Sequence, residues 1–311
     1  MHAILAEFVL PYKFEANVEK EADKISEIIS LDEIKSRRDF RKVPTLTIDP
    51  ADAKDFDDAL SLQKLENGNW EIGVHLADVT HYVRPGSLIE KEALDRATSV
   101  YLVDRTVPML PEKLSNKLCS LRPNEEKLCF SAVFEMNDKG KLINKWFGRT
   151  VINSDMRFNY DQAQEIIEGG NGPMKKEVLK LHELATILRN ERFRSGAISF
   201  ERPEMKVEVD ENGKPLGVYS KITKESNWLI EEFMLLANRE VAYFIGGKGK
   251  EAKTFVYRIH EEPNIEKIIA FRTFIKHFGY EMKPTKNARE ISSEINKLLE
   301  TAKGRPEEGA I

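Results

Sequence analysis

A chain of 311 residues, 41% hydrophobic and 32% charged, is long enough and apolar enough to bury a sizeable core, as two domains or one large one. With only 17 glycines and 13 prolines it is not collagen-like, low-complexity or wholly disordered, and no apolar run approaches the roughly 18–20 residues of a membrane span. Its 48 Lys+Arg against 52 Asp+Glu leave a formal charge of −4, so affinity for nucleic acid has to rest on local features instead of a global basic field.

Residues 15–34 are charged and helical in pattern. The basic run Lys35-Ser36-Arg37-Arg38-Asp39-Phe40-Arg41-Lys42 follows and reads mainly as a solvated linker, with a polyanion contact as the alternative. Thr45-Leu46-Thr47-Ile48 alternates like a half-buried strand, and Asp49-Pro50 breaks it. Residues 59–62 resume a strand, Asn67-Gly68 marks a turn, and residues 70–79 form the next strand. A polar helix is expected over residues 87–97 and a strand pair over 128–136 and 142–151. Pro173 sits near the start of a helix carrying Val178, Leu181, Leu184 and Leu188 at helical spacing. Strands near 198–200 and 205–209 lead to a turn at Asn212-Gly213. A long helix over 225–244 ends at Gly246-Gly247, a short strand covers 254–259, and helices over 265–278 and 288–299 close the chain. No internal repeat is present. The class is α+β, with a mixed β-sheet core and surrounding helices.

Cys119 and Cys129 are too few for a disulfide framework or a four-cysteine zinc site. The N-terminus lacks the charged start and apolar stretch of a signal peptide, so a reduced, cytoplasmic protein is expected. Both cysteines flank apolar residues and read as core. His75, Asp78 and His81 share metal-like spacing, but strand alternation favours structural roles. Arg258, on an apolar segment, needs an acidic or phosphate partner, and a structural salt bridge and a phosphate contact suit it equally well.

The most informative segment is Asp49-Pro50-Ala51-Asp52-Ala53-Lys54-Asp55-Phe56-Asp57-Asp58, five aspartates against one lysine. Like charges repel and buried carboxylates need partners, so such a segment is costly without a counter-charge. A regular helix would scatter Asp49, Asp55, Asp57 and Asp58 around its axis, whereas a loop joining two strands can aim them at one point. Hard oxygen donors suit Mg²⁺, Mn²⁺ or Ca²⁺ and argue against zinc. An EF-hand is excluded by Lys54 at the sixth loop position and Leu60 at the twelfth. Carboxylates in excess around Mg²⁺ point to phosphoryl chemistry, with a solvated acidic loop as the alternative.

This segment resembles the opening signature of the ribonuclease II / ribonuclease R family (RNB catalytic domain). The likeness continues in order through Val74-His75-Leu76-Ala77-Asp78-Val79, Val107-Pro108-Met109-Leu110-Pro111, Leu118-Cys119-Ser120-Leu121, Ile198-Ser199-Phe200-Glu201, Leu229-Ile230-Glu231-Glu232-Phe233-Met234 and Tyr257-Arg258-Ile259-His260, closest to the ribonuclease R branch. It implies an RNB-type catalytic domain over residues 43–311, with residues 1–42 as the tail of a cold-shock domain plus a linker. The implied activity is a Mg²⁺-dependent, processive 3′→5′ exoribonuclease, a monomer that takes a single-stranded RNA 3′ end and releases nucleoside 5′-monophosphates. Mn²⁺ is a possible substitute. Carried over by position, Asp49, Asp55, Asp57 and Asp58 are the catalytic and metal-binding aspartates. Tyr101 and Phe200 clamp terminal bases, and Tyr160 and Glu232 contact ribose hydroxyls. On residue type alone, Tyr101 and Phe200 would be core, Tyr160 a helix-start aromatic and Glu232 a half-exposed helix acid.

The family's Ser-Pro-Ile-Arg-Arg-Tyr type motif, whose arginine helps bind the scissile phosphate, does not follow Gly304-Arg305-Pro306. The chain therefore reads as a fragment truncated at both ends, expected to be weakly active or inactive. A non-catalytic RNA-binding or scaffold protein of the same fold, or another Mg²⁺-dependent phosphohydrolase, remain as alternatives.

Overall fold

The computed structural model describes residues 2–199, 204–210, 214–247, 252–259, 261, 263–285 and 287–311. The chain divides into two units, one of Met1–Ala185 with Pro203–Val241, the other of Thr186–Arg202 with Ala242–Ile311.

The first unit begins with short helices α1 (His2–Glu7), α2 (Ala16–Asp23) and α3 (Leu31–Lys35), the last capped by Ser30. A mixed sheet follows, built from β1 (Arg38–Asp39), β2 (Thr45–Asp49), β3 (Asp58–Lys64), β4 (Trp70–Ala77), β7 (Glu126–Met136), β8 (Leu142–Asn153) and β9 (Met156–Asn159). Between β4 and β7 the chain forms α4 (Val79–Tyr82), α5 (Leu88–Arg96) and the two-residue strands β5 (Val100–Tyr101) and β6 (Thr106–Val107), which pair with each other. The sheet order is β1-β8-β7-β4-β3-β2-β9. The edge pairs β1–β8 and β2–β9 are parallel and the inner pairs antiparallel. Gly68, at φ 83°, supplies the left-handed residue that the β3–β4 turn requires.

Helix α6 (Tyr160–Ile167) starts at a capping box on Asn159, and α7 (Lys175–Arg194) buries Val178, Leu181 and Leu184 as its spacing predicts. The hairpin β10 (Glu204–Val209) and β11 (Pro215–Lys221) precedes α8 (Glu225–Gly246). In the second unit, α9 (Ile265–Lys276) and α10 (Ala288–Ala302) enclose a core of Ile275, Tyr280, Met282, Ile291, Leu298 and Ala302. Among the described residues, no helix is long and apolar enough to cross a membrane.

Four local expectations change. Strand β2 is buried along its whole length, because β3 and β9 flank it on both edges and the chain covers both its faces. The basic run is no solvated linker: Phe40 is buried with Leu121, Cys129 and Ile152, and Arg37 reaches under the sheet to Asp78 at 2.8 Å. Residues 254–259 form no strand, since no partner strand accepts them and Val256 and Ile259 stay exposed. Ile198 and Ser199 are not in a strand either. There the Asn296 amide replaces a ladder, accepting the Ser199 N–H at 2.9 Å and donating to the Ala197 carbonyl at 2.8 Å. Phe200 and the Asn212-Gly213 turn lie outside the described residues.

His75 and Asp78 are structural, as expected. His75 is buried between the hydroxyls of Ser131 (2.7 Å) and Ser61 (2.9 Å), and burial pushes its pKa down to about 3. Burial alone would raise the Asp78 carboxyl, but the Thr80 hydroxyl and Arg37 hold it below the usual range. Truncating Arg37 leaves that buried charge poorly compensated. Arg37→Ala is expected to cost about 3–5 kcal/mol in urea unfolding, with Asp78→Ala in the same chain recovering part of the loss.

Candidate active site

Strand β2 ends at Asp49 because Pro50 has no N–H for a ladder. Strand β3 starts at Asp58, paired with Leu76. The intervening loop, residues 50–57, is held through its backbone from several sides. The buried Ser120 hydroxyl accepts the Phe56 N–H (3.1 Å) and donates to the Lys54 carbonyl (3.0 Å). The Leu121 N–H donates to the Phe56 carbonyl (2.7 Å), and the Ala77 N–H to the Asp57 carbonyl (3.0 Å). From β9, Arg157 Nη2 donates to the carbonyls of Pro50 (2.7 Å) and Ala51 (2.9 Å).

These restraints draw four carboxylates into one electrostatic group. Asp49 is 7% exposed, and its Oδ2 is buried with no hydrogen-bond partner. Burial pushes its pKa up to about 6; the Thr47 hydroxyl and then Arg157 oppose the shift, and Asp55 adds to it. Asp58 is pushed up to about 7 by burial and then by Asp49 and Asp57. Asp57 keeps an open surface at the rim, yet desolvation by the protein around it, followed by Asp55 and Asp49, raises it to about 6. Asp55 accepts the Tyr101 hydroxyl at 3.1 Å.

The remaining expected residues divide. Tyr101 is 67% exposed, so it is not the core residue its type alone suggests; its ring is open while its hydroxyl is tied to the cluster. Tyr160 opens α6 half-buried, bonded to Asn227. Burial and then the charges of Asp58 and Asp49 push its pKa up to about 12. Glu232 is buried on α8, only 3% exposed, instead of half-exposed. Phe200 lies outside the described residues.

Sequence reasoning missed two residues that shape the loop. Ser120 lay inside a quoted motif, but a serine in an apolar run gives no hint that it bonds backbone 64 and 66 residues away. Arg157, just before a helix cap, carries no local signal at all.

Among the described residues, no three carboxylate, imidazole or thiol groups are close enough to enclose a metal ion by themselves. That suits Mg²⁺, which binds through one or two carboxylates and completes its octahedron with water and phosphate. An orphaned buried carboxylate oxygen among repelling neighbours is the chemistry such a cation relieves.

A model of the RNB domain matches residues 37–309 of the chain. Ribonuclease R 1 of Lactococcus lactis is 38% identical over 311 residues, covering 98% of this chain and 38% of the relative. A protein named inactive exonuclease DIS3L2 from Arabidopsis thaliana is 39% identical over 267 residues, covering 81% of this chain and 25% of the relative. The solved Mycoplasma genitalium RNase R in complex with double-stranded RNA superposes with a TM-score of 0.88 at 27% identity, covering 99% of this chain and 55% of that one. The chain thus spans about two fifths of the length of the Lactococcus relative.

Two outcomes follow from this geometry. Ser120→Ala orphans the Phe56 N–H and the Lys54 carbonyl and is expected to cost about 1–3 kcal/mol in chemical denaturation. The second concerns pH. Carboxylates whose folded pKa values, about 6 to 7, exceed the ordinary 3.8 contribute stability that is fully present below the unfolded value and lost as pH rises through the folded one. In EDTA, the thermal midpoint is expected to fall between about pH 4 and pH 7.5, and Asp58→Asn to flatten that fall.

Proposed function

The chain belongs to the RNB-domain family, and from that premise we propose that it forms the catalytic core of a Mg²⁺-dependent, processive 3′→5′ exoribonuclease. It accepts the single-stranded 3′ end of RNA and releases nucleoside 5′-monophosphates, as a cytoplasmic monomer; the free, buried Cys119 and Cys129 suit a reducing compartment. The observation that carries this reading is the buried, unpartnered Oδ2 of Asp49 beside carboxylates raised by burial and then by one another's charge.

Asp49 and Asp58 are the residues placed to hold Mg²⁺ or Mn²⁺, with Asp55 and Asp57 as ligands of a second ion or as groups that orient the attacking water. When bound, the cation polarises the scissile phosphate and offsets the charge that develops on its oxygens. Asp57, at the solvent-facing rim, is the carboxylate water reaches most readily and can accept a hydrogen bond from it. Tyr101 presents its open ring to the terminal base while its hydroxyl bond to Asp55 fixes the ring's distance from the carboxylates. Phe200 completes the clamp. Stacking of this kind tolerates any base, as a general degrading enzyme needs. Tyr160 and Glu232 act on ribose hydroxyls, the groups that separate RNA from DNA.

One relative carries the name of an inactive exonuclease, which favours a second reading in which the fold binds RNA without hydrolysing it. A time course on single-stranded RNA with an accessible 3′ end separates the two. When the chain is joined to the family's phosphate-binding arginine motif, mononucleotides are expected to appear with Mg²⁺ and to stop in EDTA, and Asp57→Asn to slow the reaction by at least about a hundredfold; without that motif, activity is expected to be weak or absent. Binding of RNA with no hydrolysis in Mg²⁺ or Mn²⁺, even by the chain joined to that motif, would support the non-catalytic reading. Cleavage of a simple phosphomonoester with none of RNA would point to another phosphohydrolase.

A further inference from the structure

We infer that Arg157 is a positioning residue for the aspartate cluster, closing the acidic loop so that Asp49 before it and Asp58 after it face a common cation. The inference rests on the metal-dependent reading above.

The placement follows from the sheet. Strand β9 runs parallel to β2 in the register Thr47↔Arg157 and Asp49↔Asn159. Residues in register across neighbouring strands project to the same face, so Arg157 leaves the sheet on the face that carries Asp49. The loop after Asp49 folds back within its reach. A single guanidinium then touches the loop at two places far apart in its contour. Nη2 donates to the carbonyls of Pro50 and Ala51, the first two loop residues. The guanidinium carbon lies 5.2 Å from the ring centroid of Phe56, one residue before Asp57. Phe56 itself packs on the buried cluster of Phe40, Leu121 and Cys129. Arg157 therefore ties the free start of the loop to its anchored end.

The choice of side chain has a reason. The planar guanidinium of arginine donates to two carbonyls while its flat face lies over an aromatic ring; a lysine ammonium can donate to both carbonyls but has no such face. Its charge also lies beside Asp49, where it offsets part of the repulsion without neutralising the carboxylate by direct pairing. Arg157 Nε is buried without a hydrogen-bond partner. That arrangement is tolerable because the other contacts hold the group in place.

Ser120 acts on the same loop from the opposite end, through Lys54 and Phe56. The two differ in consequence. Ser120 lies wholly in the interior and satisfies backbone groups there, whereas Arg157 sets where Asp49 points relative to the carboxylates that follow.

The test is titration of Mn²⁺ into the chain, followed by the loss of the free-ion electron paramagnetic resonance signal. Wild type, Arg157→Gln, Arg157→Lys and Asp58→Asn are compared, with circular dichroism reporting the fold of each. Arg157→Gln, folded as wild type, is expected to bind Mn²⁺ about tenfold or more weakly, the range seen when groups that orient metal ligands are removed. Arg157→Lys is expected to fall between the two. Wild-type affinity in a folded Arg157→Gln overturns the inference. If Arg157→Gln does not fold, Arg157→Lys decides: intermediate affinity supports the inference and wild-type affinity overturns it. Absence of Mn²⁺ binding in wild type, or binding untouched by Asp58→Asn, refutes the metal-dependent reading itself and this inference with it.

Discussion

Four carboxylates crowded at the junction of two strands are the constraint around which this part of the structure is organised. Left to themselves they would separate, because each raises the cost of ionising the next. Burial pushes Asp49 to about 6 and Asp58 to about 7, well above an ordinary aspartate. The fold opposes that tendency with backbone restraints: Ser120, Leu121 and Ala77 from within the sheet layer, Arg157 from the neighbouring parallel strand. None of these neutralises a carboxylate. They fix where the carboxylates are and leave their charge unpaired by side chains, unlike a structural ion-pair network, and the proposed cation would supply the missing counter-charge.

The contrast with Asp78 in the same unit makes the difference plain. Asp78 is as deeply buried as Asp49, yet it is paired with Arg37 at 2.8 Å and bonded to Thr80, and its carboxyl lies below the usual range. One buried aspartate has been given its counter-charge by the chain; the other has an oxygen with no partner at all. The sheet supports both. Its hairpins bring Asp58 opposite Leu76, and β1, drawn in by Arg37 and Phe40, closes the edge beyond β8.

Much of this was legible in the residues because it depends on short-range pattern. Turn residues at Asn67-Gly68, helical spacing in α7 and the polar helical stretch that becomes α5 each act within a few positions, and the elements they predict are present. The aspartate cluster was legible for a different reason: its charge density has no inexpensive structural explanation. What escaped was long-range. A basic run such as residues 35–42 looks solvated until Asp78, about forty positions later, provides the partner that lets Arg37 be buried. Residues 254–259 have strand composition, but a strand needs a neighbour, and composition cannot supply one. Arg157 and Ser120 act through side-chain contacts to backbone carbonyls and amides, which leave no trace in spacing or hydropathy.

On the proposed reading, the cluster is held ready for a divalent cation that competes with protons for the same carboxylates. A cation that binds carboxylates of raised pKa must displace their protons. The direct measurement is isothermal titration of Mn²⁺ into the chain at pH 6 and at pH 8.5, in buffers of different ionisation enthalpy. The account predicts release of about one proton or more per ion at pH 6, falling to nearly none at pH 8.5, with Asp58→Asn reducing the release at pH 6. Binding with no proton release at pH 6, or release unchanged by Asp58→Asn, would contradict it.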